Sequence, residues 1–428
     1  MKIYNNPSPE QWPALCERPQ LELEFLDSTV RNILNRVKKS GDSALRELSF
    51  QFDKVQLTDL RVTKSEIESA VESTPTILKD AIIQASENIK KFHSAQATPD
   101  IKIETMPGVS CWRKSVPIEN VGIYIPGGTA PLFSTVLMLG IPAQLAGCSQ
   151  IVLCSPPDTS GNVHPAILFT AQLIGITEIY KVGGAQAIAA MAYGTETIPA
   201  ISKIFGPGNQ YVTKAKQLIS EEGVAIDMPA GPSEVLVYAD ETSTPAFVAA
   251  DLLSQAEHGE DSQVILVLTK DTLAKPIQQE IIIQLDALPR KAFATAALEK
   301  SRIIVIEAEK DAVSFINAYA PEHLIINTKK PEAIAGSITN AGSVFLGDYT
   351  PEAVGDYASG TNHTLPTNGY AKSFSGVSLN SFTKFITFQQ LSKEGIKNLG
   401  PTVETMAAAE LLEGHKRAIR VRLENLGL

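Results

Sequence analysis

The sequence predicts an α/β fold with two doubly wound, Rossmann-like parallel-sheet domains and a helical C-terminal tail. Apolar runs of about five residues alternate with longer segments of helical periodicity, and several runs end at glycines. Strands that alternate with helices form right-handed βαβ units, so each series of runs predicts a parallel sheet. The runs of the first series begin at Val121, Ile151, Ile179 and Ile204, and those of the second begin at Glu234, Gln263, Arg302 and His323.

The first hundred residues and the C-terminal segment have helical patterns. Residues 63–66 match a capping box, and an apolar stripe that starts at Ile77 runs along residues 76–96. His93 lies beside this stripe, and we expect it on the surface. Residues 403–428 are helical in pattern but too few to form a core of their own, so we expect them to dock on another surface.

The composition is that of a globular protein with more than one domain. The chain has 428 residues, of which 44% are hydrophobic and 20% are charged, and its net charge is −10. That charge argues against a general nucleic-acid binder, which usually presents a basic face. The sequence contains neither a long apolar run nor an N-terminal signal pattern, and its four cysteines have no CxxC spacing. We therefore expect a cytoplasmic protein without disulfides.

Three predicted strand ends are rich in glycine, at residues 126–128, 183–186 and 206–209. Glycine lets the backbone come close to a ligand, and the N-terminus of the following helix favours phosphate groups. Ligands of open parallel sheets bind at the carboxyl ends of the strands. None of these turns has the GxGxxG spacing, and each alone is also compatible with an ordinary tight turn. Three of them in one sheet predict a nucleotide site without identifying the nucleotide.

Two polar motifs predict metal binding and acid–base chemistry. Gln255 and His258 are three residues apart at a predicted helix end, so they share a face that could hold a divalent metal. A surface cluster at the helix end is the alternative interpretation. Glu322 and His323 precede a strand, and an adjacent acid and base suit proton abstraction and water activation. A solvated turn is the alternative for that pair.

Two further histidine motifs lie nearer the C-terminus. Asp356 and His363 occupy a segment rich in Gly, Ser, Thr and Pro that is typical of an ordered functional loop. Glu410 and His415 would not share a face of one continuous helix, so we expect a break near Gly414 that places both at one cleft. Imidazole and oxygen ligands suit zinc and also manganese. The residues alone predict a metal-assisted reaction beside a nucleotide site, and they do not separate a dehydrogenase from a hydrolase.

Eight long motifs occur in order along most of the chain. They are IPGGTAPL at residues 125–132, VGGAQAIAA at 182–190, FGPGN at 205–209, DMPAGPSEV at 227–235, LLSQAEHG at 252–259, APEHL at 320–324, GDYASGTNHTLPT at 355–367 and AAELLEGHKRA at 408–418. In these motifs the chain resembles the histidinol dehydrogenase family.

The resemblance implies an NAD-dependent four-electron oxidation of L-histidinol to L-histidine through bound L-histidinal, which forms the last two steps of histidine biosynthesis. It also implies one Zn²⁺ per subunit and a homodimer with intertwined tails, in which the partner's tail completes each active site. A zinc amidohydrolase on the same fold is the alternative, and a non-catalytic nucleotide-binding scaffold is a second one.

The resemblance also implies a role for each site residue. The zinc ligands would be Gln255, His258, Asp356 and His415, and the acid–base pair would be Glu322 and His323. The substrate contacts would be Ser233, Gln255, His258, His323, Asp356, His363, Glu410 and His415. The cofactor contacts would be Tyr124, Gln186 and Asn209.

We expect four segments from the sequence. Residues 1–20 would form an N-terminal arm, and residues 21–123 with 236–377 would form a first α/β domain that carries most of the metal and catalytic site. Residues 124–235 would form a second, NAD-binding α/β domain. Residues 378–428 would form a helical tail that is exchanged between the subunits of the dimer.

Overall fold

A computed structural model describes residues 1–19, 24–127, 130–229 and 231–428 of the chain. Its strands are β1 Lys2–Asn5, β2 Lys102–Met106, β3 Val109–Pro117, β4 Asn120–Tyr124, β5 Gln150–Cys154, β6 Glu178–Tyr180, β7 Lys203–Phe205, β8 Ala225–Ile226, β9 Glu234–Ala239, β10 Gln263–Leu268, β11 Arg302–Val305, β12 His323–Asn327, β13 Ser343–Leu346 and β14 Thr383–Leu391. Its α-helices are α1 Trp12–Leu15, α2 Glu24–Asp53, α3 Lys64–Ser73, α4 Thr76–Ser94, α5 Phe133–Ala146, α6 Pro165–Leu173, α7 Gly184–Tyr193, α8 Gln210–Glu221, α9 Pro245–Ala256, α10 Ala274–Leu285, α11 Lys291–Glu299, α12 Glu309–Tyr319, α13 Pro331–Ala335, α14 Glu352–Tyr357, α15 Lys393–Ala409 and α16 Glu413–Glu424. No helix among these residues is long and apolar enough to cross a membrane.

Two parallel sheets form the centre of the fold and confirm the predicted fold class. The five-stranded sheet has the order β6-β5-β4-β7-β8, and the six-stranded sheet has the order β1-β11-β10-β9-β12-β13. All their strand pairs are parallel. In the five-stranded sheet, and in the six-stranded sheet from β9 onward, the chain starts at a central strand, winds outward to one side, and then returns to the other side, while β1 is added at the edge beside β11. This reversal of direction is what makes both sheets doubly wound.

A third, antiparallel sheet was not expected from the sequence. Its order is β14-β3-β2, and β14 pairs with β3 along nine residues from Thr383–Pro117 to Leu391–Val109. The prediction that residues 378–428 are a helical tail is therefore wrong for β14. This strand obtains its hydrogen bonds from a segment far away in the sequence, and such a partner leaves no periodic signal in the local pattern.

The packing divides the chain differently from the predicted boundaries. We expected residues 21–123 to join residues 236–377, but α2, α3 and α4 bury their apolar faces in the two cores that cover the five-stranded sheet. The predicted arm also contains β1, which is the edge strand of the six-stranded sheet. The predicted limits at residues 124 and 235 fall within β4 and β9. The end of the arm falls at residues 20–23, which lie outside the described residues.

Local predictions in the helices were partly correct. The capping box at residues 63–66 is present, with Thr63 and Glu66 bonded to each other's backbone N–H. In α4 the buried residues include Ile82 and His93, whereas Ile77 is 82% exposed. The buried face is thus rotated from the predicted stripe, and the prediction of a surface position for His93 is wrong. Packing against neighbouring helices determines this face, and the amphipathic pattern alone left it uncertain by about one residue.

Candidate active site

The predicted acid–base pair lies at the amino edge of the six-stranded sheet. Glu322 comes directly before β12, and His323 is the first residue of that strand, in register with Val235 near the start of β9. The C-terminal end of α9 brings Gln255 to the same edge, with His258 two residues beyond the helix. Sequence reasoning anticipated the residues but not the edge, because the general rule for parallel sheets favours carboxyl ends.

His323 is at the centre of a group of carboxylates. It is 3% exposed, and its Nε2 lies 3.3 Å from Asp356 Oδ1. Its Nδ1 lies 3.7 Å from Glu322 Oε2 and 4.0 Å from Glu352 Oε1. Nδ1 also lies 3.4 Å from the backbone carbonyl oxygen of Glu234. A carbonyl oxygen can only accept a hydrogen bond, so this contact places a proton on Nδ1.

Gln255 connects two of these carboxylates. It is 1% exposed, and its side-chain oxygen would face only acceptors unless the amide is turned over. In the turned orientation its nitrogen donates to Glu352 Oε1 at 2.6 Å, and its oxygen accepts from the Glu234 N–H at 3.0 Å. Glu322 Oε2 accepts from the same N–H at 2.9 Å. Gln255 and Glu322 are therefore held by one backbone donor.

The burial of these charges shifts their proton equilibria. Burial raises the pKa of Glu322 to about 8. Burial alone would lower the pKa of His323, but the charges of Glu352 and Glu322 outweigh it, and so the pKa is raised well above its usual value. Burial opposes ionisation of Asp356 as well, yet the hydrogen bond from His323 lowers the pKa of that carboxyl. The edge therefore concentrates acidic groups around one imidazole.

Three side chains of this edge form a potential metal site. Ligand atoms of His258, Glu352 and Asp356 all lie within 4.8 Å of one another. Glu352 is 1% exposed, and among the described residues its Oε2 has no hydrogen-bond partner. A buried carboxylate oxygen without a donor is costly unless a cation is nearby. The group fits a divalent metal, and it includes two of the four predicted ligands, His258 and Asp356.

Sequence reasoning missed Glu352. It lies four residues before Asp356 on the short helix α14, so the two side chains share one face. This spacing was a usable signal, but it lay just before the motif at residues 355–367. The potential metal group therefore includes a residue of the helix that precedes the motif as well as Asp356 within it.

The other predicted substrate contacts of this region lie beside the cluster. His363 Nδ1 donates to the backbone carbonyl of Asp356 at 2.8 Å, which fixes a tautomer whose Nε2 accepts from Thr135 Oγ1 at 2.9 Å. Burial lowers the pKa of His363. Ser233 directly precedes β9 and is half-buried. Both residues therefore flank the edge at which Glu322 and His323 lie.

The two tail residues, Glu410 and His415, do not contribute to the potential metal group within the described residues of their own chain. Both residues are exposed. The expected helix break exists, but it precedes Gly414. α15 ends at Ala409, Leu411 has a φ of +60°, and α16 starts at Glu413. The chain therefore turns at Leu411, three residues before the predicted break. Gly414 is the second residue of α16.

The glycine turns lie at the carboxyl edge of the five-stranded sheet, as predicted. The turn at residues 183–186 leads into α7, and the turn at residues 206–209 leads into α8. The first turn follows β4, but its Gly128 lies outside the described residues. Gly206 has a φ of +131°, and a Cβ there would lie 2.1 Å from the Tyr124 carbonyl oxygen. That position therefore requires glycine.

The three predicted cofactor contacts line one cavity of about 1360 Å³. Tyr124 is buried, and its hydroxyl accepts from the Gly184 N–H at 3.0 Å. Gln186 is buried, whereas Asn209 is exposed and caps α8 through its side-chain oxygen. His258 lines the same cavity. The cavity thus extends from the glycine turns of one sheet to the potential metal group of the other.

Comparisons with known proteins agree on one family. A family model described as histidinol dehydrogenase matches residues 16–423. The histidinol dehydrogenase of Bacteroides fragilis (strain YCH46) is 59% identical over 426 residues, which cover 100% of both chains. That of Vibrio parahaemolyticus serotype O3:K6 (strain RIMD 2210633) is 52% identical and covers 99% of this chain and 98% of its own.

A solved structure gives the same result. The crystal structure of histidinol dehydrogenase from Elizabethkingia anophelis is 56% identical and has a TM-score of 0.98, and the match covers 100% of this chain and 99% of that one. Sequence, family model and three-dimensional structure thus agree over nearly the whole length. The chain belongs to the histidinol dehydrogenase family.

Proposed function

We propose that this protein is an L-histidinol dehydrogenase, which oxidises L-histidinol to L-histidine through bound L-histidinal with NAD as the electron acceptor. One observation carries the proposal. A single cavity is lined both by His258 of the potential metal group and by the three predicted cofactor contacts Tyr124, Gln186 and Asn209. A redox reaction at a metal-held substrate needs this proximity of metal ligands and nucleotide turns.

The metal is best assigned as zinc. An imidazole nitrogen and carboxylate or amide oxygens are suitable zinc ligands, and the same set accepts manganese. Gln255, His258 and Asp356 would hold the ion together with a second subunit's copy of His415, and Glu352 lies within the same group. When bound, zinc orients the amine and imidazole nitrogens of histidinol. NAD, when bound at the glycine turns, supplies the hydride acceptor.

His323 is the base of the first oxidation. The proton on Nδ1 is directed at the Glu234 carbonyl. Nε2, once it has released the proton that it donates to Asp356, is therefore the nitrogen that takes the hydroxyl proton while hydride leaves the carbinol carbon for NAD. His323 is enclosed by β9, β12 and α14, so its imidazole ring is held in one orientation. This orientation favours a single direction of proton transfer.

Glu322 acts in the second oxidation. Its carboxylate takes a proton from water as the water adds to the aldehyde carbon, and the hydrate then loses hydride to leave the acid. We expect Glu322→Gln to slow the oxidation of histidinal more than that of histidinol, because only the second reaction needs water activation. Single-turnover measurements with each substrate would test this. Equal losses in the two half-reactions would contradict the assignment.

The tail completes the site in a homodimer. Glu410 and His415 are exposed on a helical pair that also exposes apolar side chains, including Met406, Leu411 and Leu412. An exposed apolar surface of this kind is typical of an interface. The tail would therefore bring both polar residues to the metal group of the second subunit.

A mixing experiment tests this arrangement. His323→Ala and His415→Ala chains should each be inactive, since each removes a different part of the site. Randomly mixed dimers should regain about a quarter of the wild-type activity, because half are hybrids with one complete site. No recovery after exchange of subunits would show that both residues act within one chain.

The proposed reaction itself is tested by NADH formation. Enzyme with histidinol, NAD and zinc should form two NADH per histidinol, and a chelator should abolish the activity until zinc is restored. Absence of NADH formation would overturn the proposal. Hydrolysis of an amide without NADH would instead favour the zinc amidohydrolase, which the family membership does not favour.

A further inference from the structure

A buried ion pair between Arg18 and Glu234 lies next to the acid–base pair Glu322 and His323. Glu234 is 1% exposed, and its two carboxylate oxygens accept from the guanidinium of Arg18 at 2.8 and 3.1 Å. Arg18 also donates to the carbonyl oxygen of Tyr319 at 2.6 Å and stacks 3.7 Å from the centroid of that ring. The Tyr319 hydroxyl donates to Gln263 Oε1 at 2.9 Å and lies 3.3 Å from Glu234 Oε2, so its single proton is shared between the two acceptors. A buried carboxylate needs such partners, because an unpaired charge at this depth is costly.

The main chain of Glu234 contacts three residues of the site. Its N–H lies 2.9 Å from Glu322 Oε2 and 3.0 Å from the side-chain oxygen of Gln255. Its carbonyl oxygen lies 3.4 Å from His323 Nδ1. One residue therefore joins Arg18, through its side chain, to the acid–base pair, through its backbone.

The position of Glu234 makes this connection important. It is the first residue of β9, and the pairing of β9 with β12 begins one residue later, at Val235 and His323. On the side of β12, the Glu234 N–H therefore precedes the ladder and bonds to the side chains of Glu322 and Gln255 instead. The two-pronged contact of Arg18 restrains the same residue from the other side, since a guanidinium and a carboxylate fit in one plane.

We propose that Arg18 is a positioning residue, which holds the Glu234 peptide groups in the orientation that Glu322 and His323 require. The inference rests on the proposed function, because its effect is measured on histidinol oxidation. Within the described part of the chain, the side-chain contacts of Arg18 are with Cys16, Glu234 and Tyr319, and none is with the glycine turns or the potential metal group. Its loss should therefore reduce the rate of the chemical steps and leave the binding of histidinol and NAD nearly unchanged.

The test is Arg18→Met, a change that keeps much of the side-chain volume and removes both hydrogen bonds to the Glu234 carboxylate. We expect kcat to fall by about 10- to 100-fold and both KM values to stay within about twofold. The kcat is calculated per histidinol-binding site, as counted by calorimetric titration. Unfolded chains, which bind no histidinol, are therefore left out of the enzyme concentration. Arg18→Lys should recover part of the lost kcat, because lysine restores the positive charge but cannot form two parallel hydrogen bonds to the carboxylate.

The double variant of Arg18→Met and Glu234→Gln keeps the inference testable if Arg18→Met alone folds poorly, because it leaves no unpaired buried charge. Glu234→Gln removes the buried charge and retains the backbone contacts. If Arg18 acts through Glu234, then adding Arg18→Met to Glu234→Gln should lower kcat by no more than about twofold. If the kcat losses of the two single variants multiply in the double variant, the two residues act independently, and this would overturn the inference.

Arg302→Met is the matched control. Arg302 Nη1 holds the same N-terminal segment, through the carbonyl oxygens of Leu15 at 2.6 Å and Glu17 at 3.0 Å, but its side chain does not bond to Glu234. Its replacement should leave kcat within about twofold of the wild type. Equal losses for Arg18→Met and Arg302→Met would mean that the segment acts only through stability, and this would overturn the inference. An inactive wild-type enzyme would instead refute the proposed function.

Discussion

The five-stranded sheet has the same strand order as β9 to β13 of the six-stranded sheet, but the two sheets contribute opposite edges to the site. The five-stranded sheet provides glycine turns at its carboxyl edge, where α7 and α8 begin. The six-stranded sheet provides charged side chains at its amino edge, where α9 ends just before His258. Helix N-termini attract anions and helix C-termini attract cations. Each edge therefore matches its proposed ligand, which is a phosphate-bearing cofactor on one sheet and a metal ion on the other.

The largest expected effect separates chemistry at the amino edge from binding at the carboxyl edge. His323→Ala should lower kcat by about 10²–10⁴-fold, because it removes the base, and should leave the Kd for NAD unchanged within about twofold. Steady-state assays and calorimetry measure the two quantities. His164→Asn is a control for kcat only, since His164 caps α6 outside the potential metal group but lines the same cavity. A large change in NAD affinity with His323→Ala would show that the edges are not independent.

A smaller effect is expected for the residue that sequence reasoning missed. Glu352→Gln should weaken zinc binding by about 10- to 100-fold, because Glu352 contributes charge to the group of His258 and Asp356. Competition with a chromogenic chelator measures the affinity. Glu309→Gln changes an acid in the first turn of α12 and serves as the control. Unchanged zinc affinity in Glu352→Gln would remove Glu352 from the metal site.

The corresponding change at the carboxyl edge should act on the cofactor. Gly206→Ala places a Cβ 2.1 Å from the Tyr124 carbonyl oxygen, so the turn must shift away from β4. We expect the KM for NAD to rise about tenfold, with a smaller effect on zinc affinity. Gly223→Ala is the matched control, since its φ is also positive, at +99°, but nothing lies within 4 Å of the added Cβ. Equal KM values for the two variants would contradict this role.

The smallest effect concerns stability on the cavity wall. Burial raises the pKa of Asp53 from 3.8 to about 6, so the folded state holds the proton more tightly than the unfolded state. Ionisation therefore costs stability, fully above pH 6 and not at all below pH 4. Asp53→Asn should raise the Tm by about 1–3 °C at pH 8 and by less at pH 5. A gain that is larger at pH 5 would contradict the sign of this linkage.

The structure brings several of the predicted site residues together, but the sequence did not predict how they are arranged. Glu322 and His323 were chosen because an acid and a base are adjacent, and the structure places them together at one edge. The carboxyl-edge rule applies to the glycine turns but not to this pair. Glu352 was missed because its contribution depends on α14 facing His258, which is a contact between segments far apart in the chain. Likewise, β14 was missed because its partner strand is β3.

The alternation of apolar runs, helices and glycines determined the two doubly wound sheets, because strand and helix periods and tight turns are local properties of the chain. The family motifs determined which side chains to expect at the site. Only the tertiary structure decided which edge of each sheet faces the cavity, which helices cover which sheet, and that Glu234 lies between Arg18 and His323. These features depend on packing and on hydrogen bonds between distant segments, and such contacts have no counterpart in the local pattern of residues.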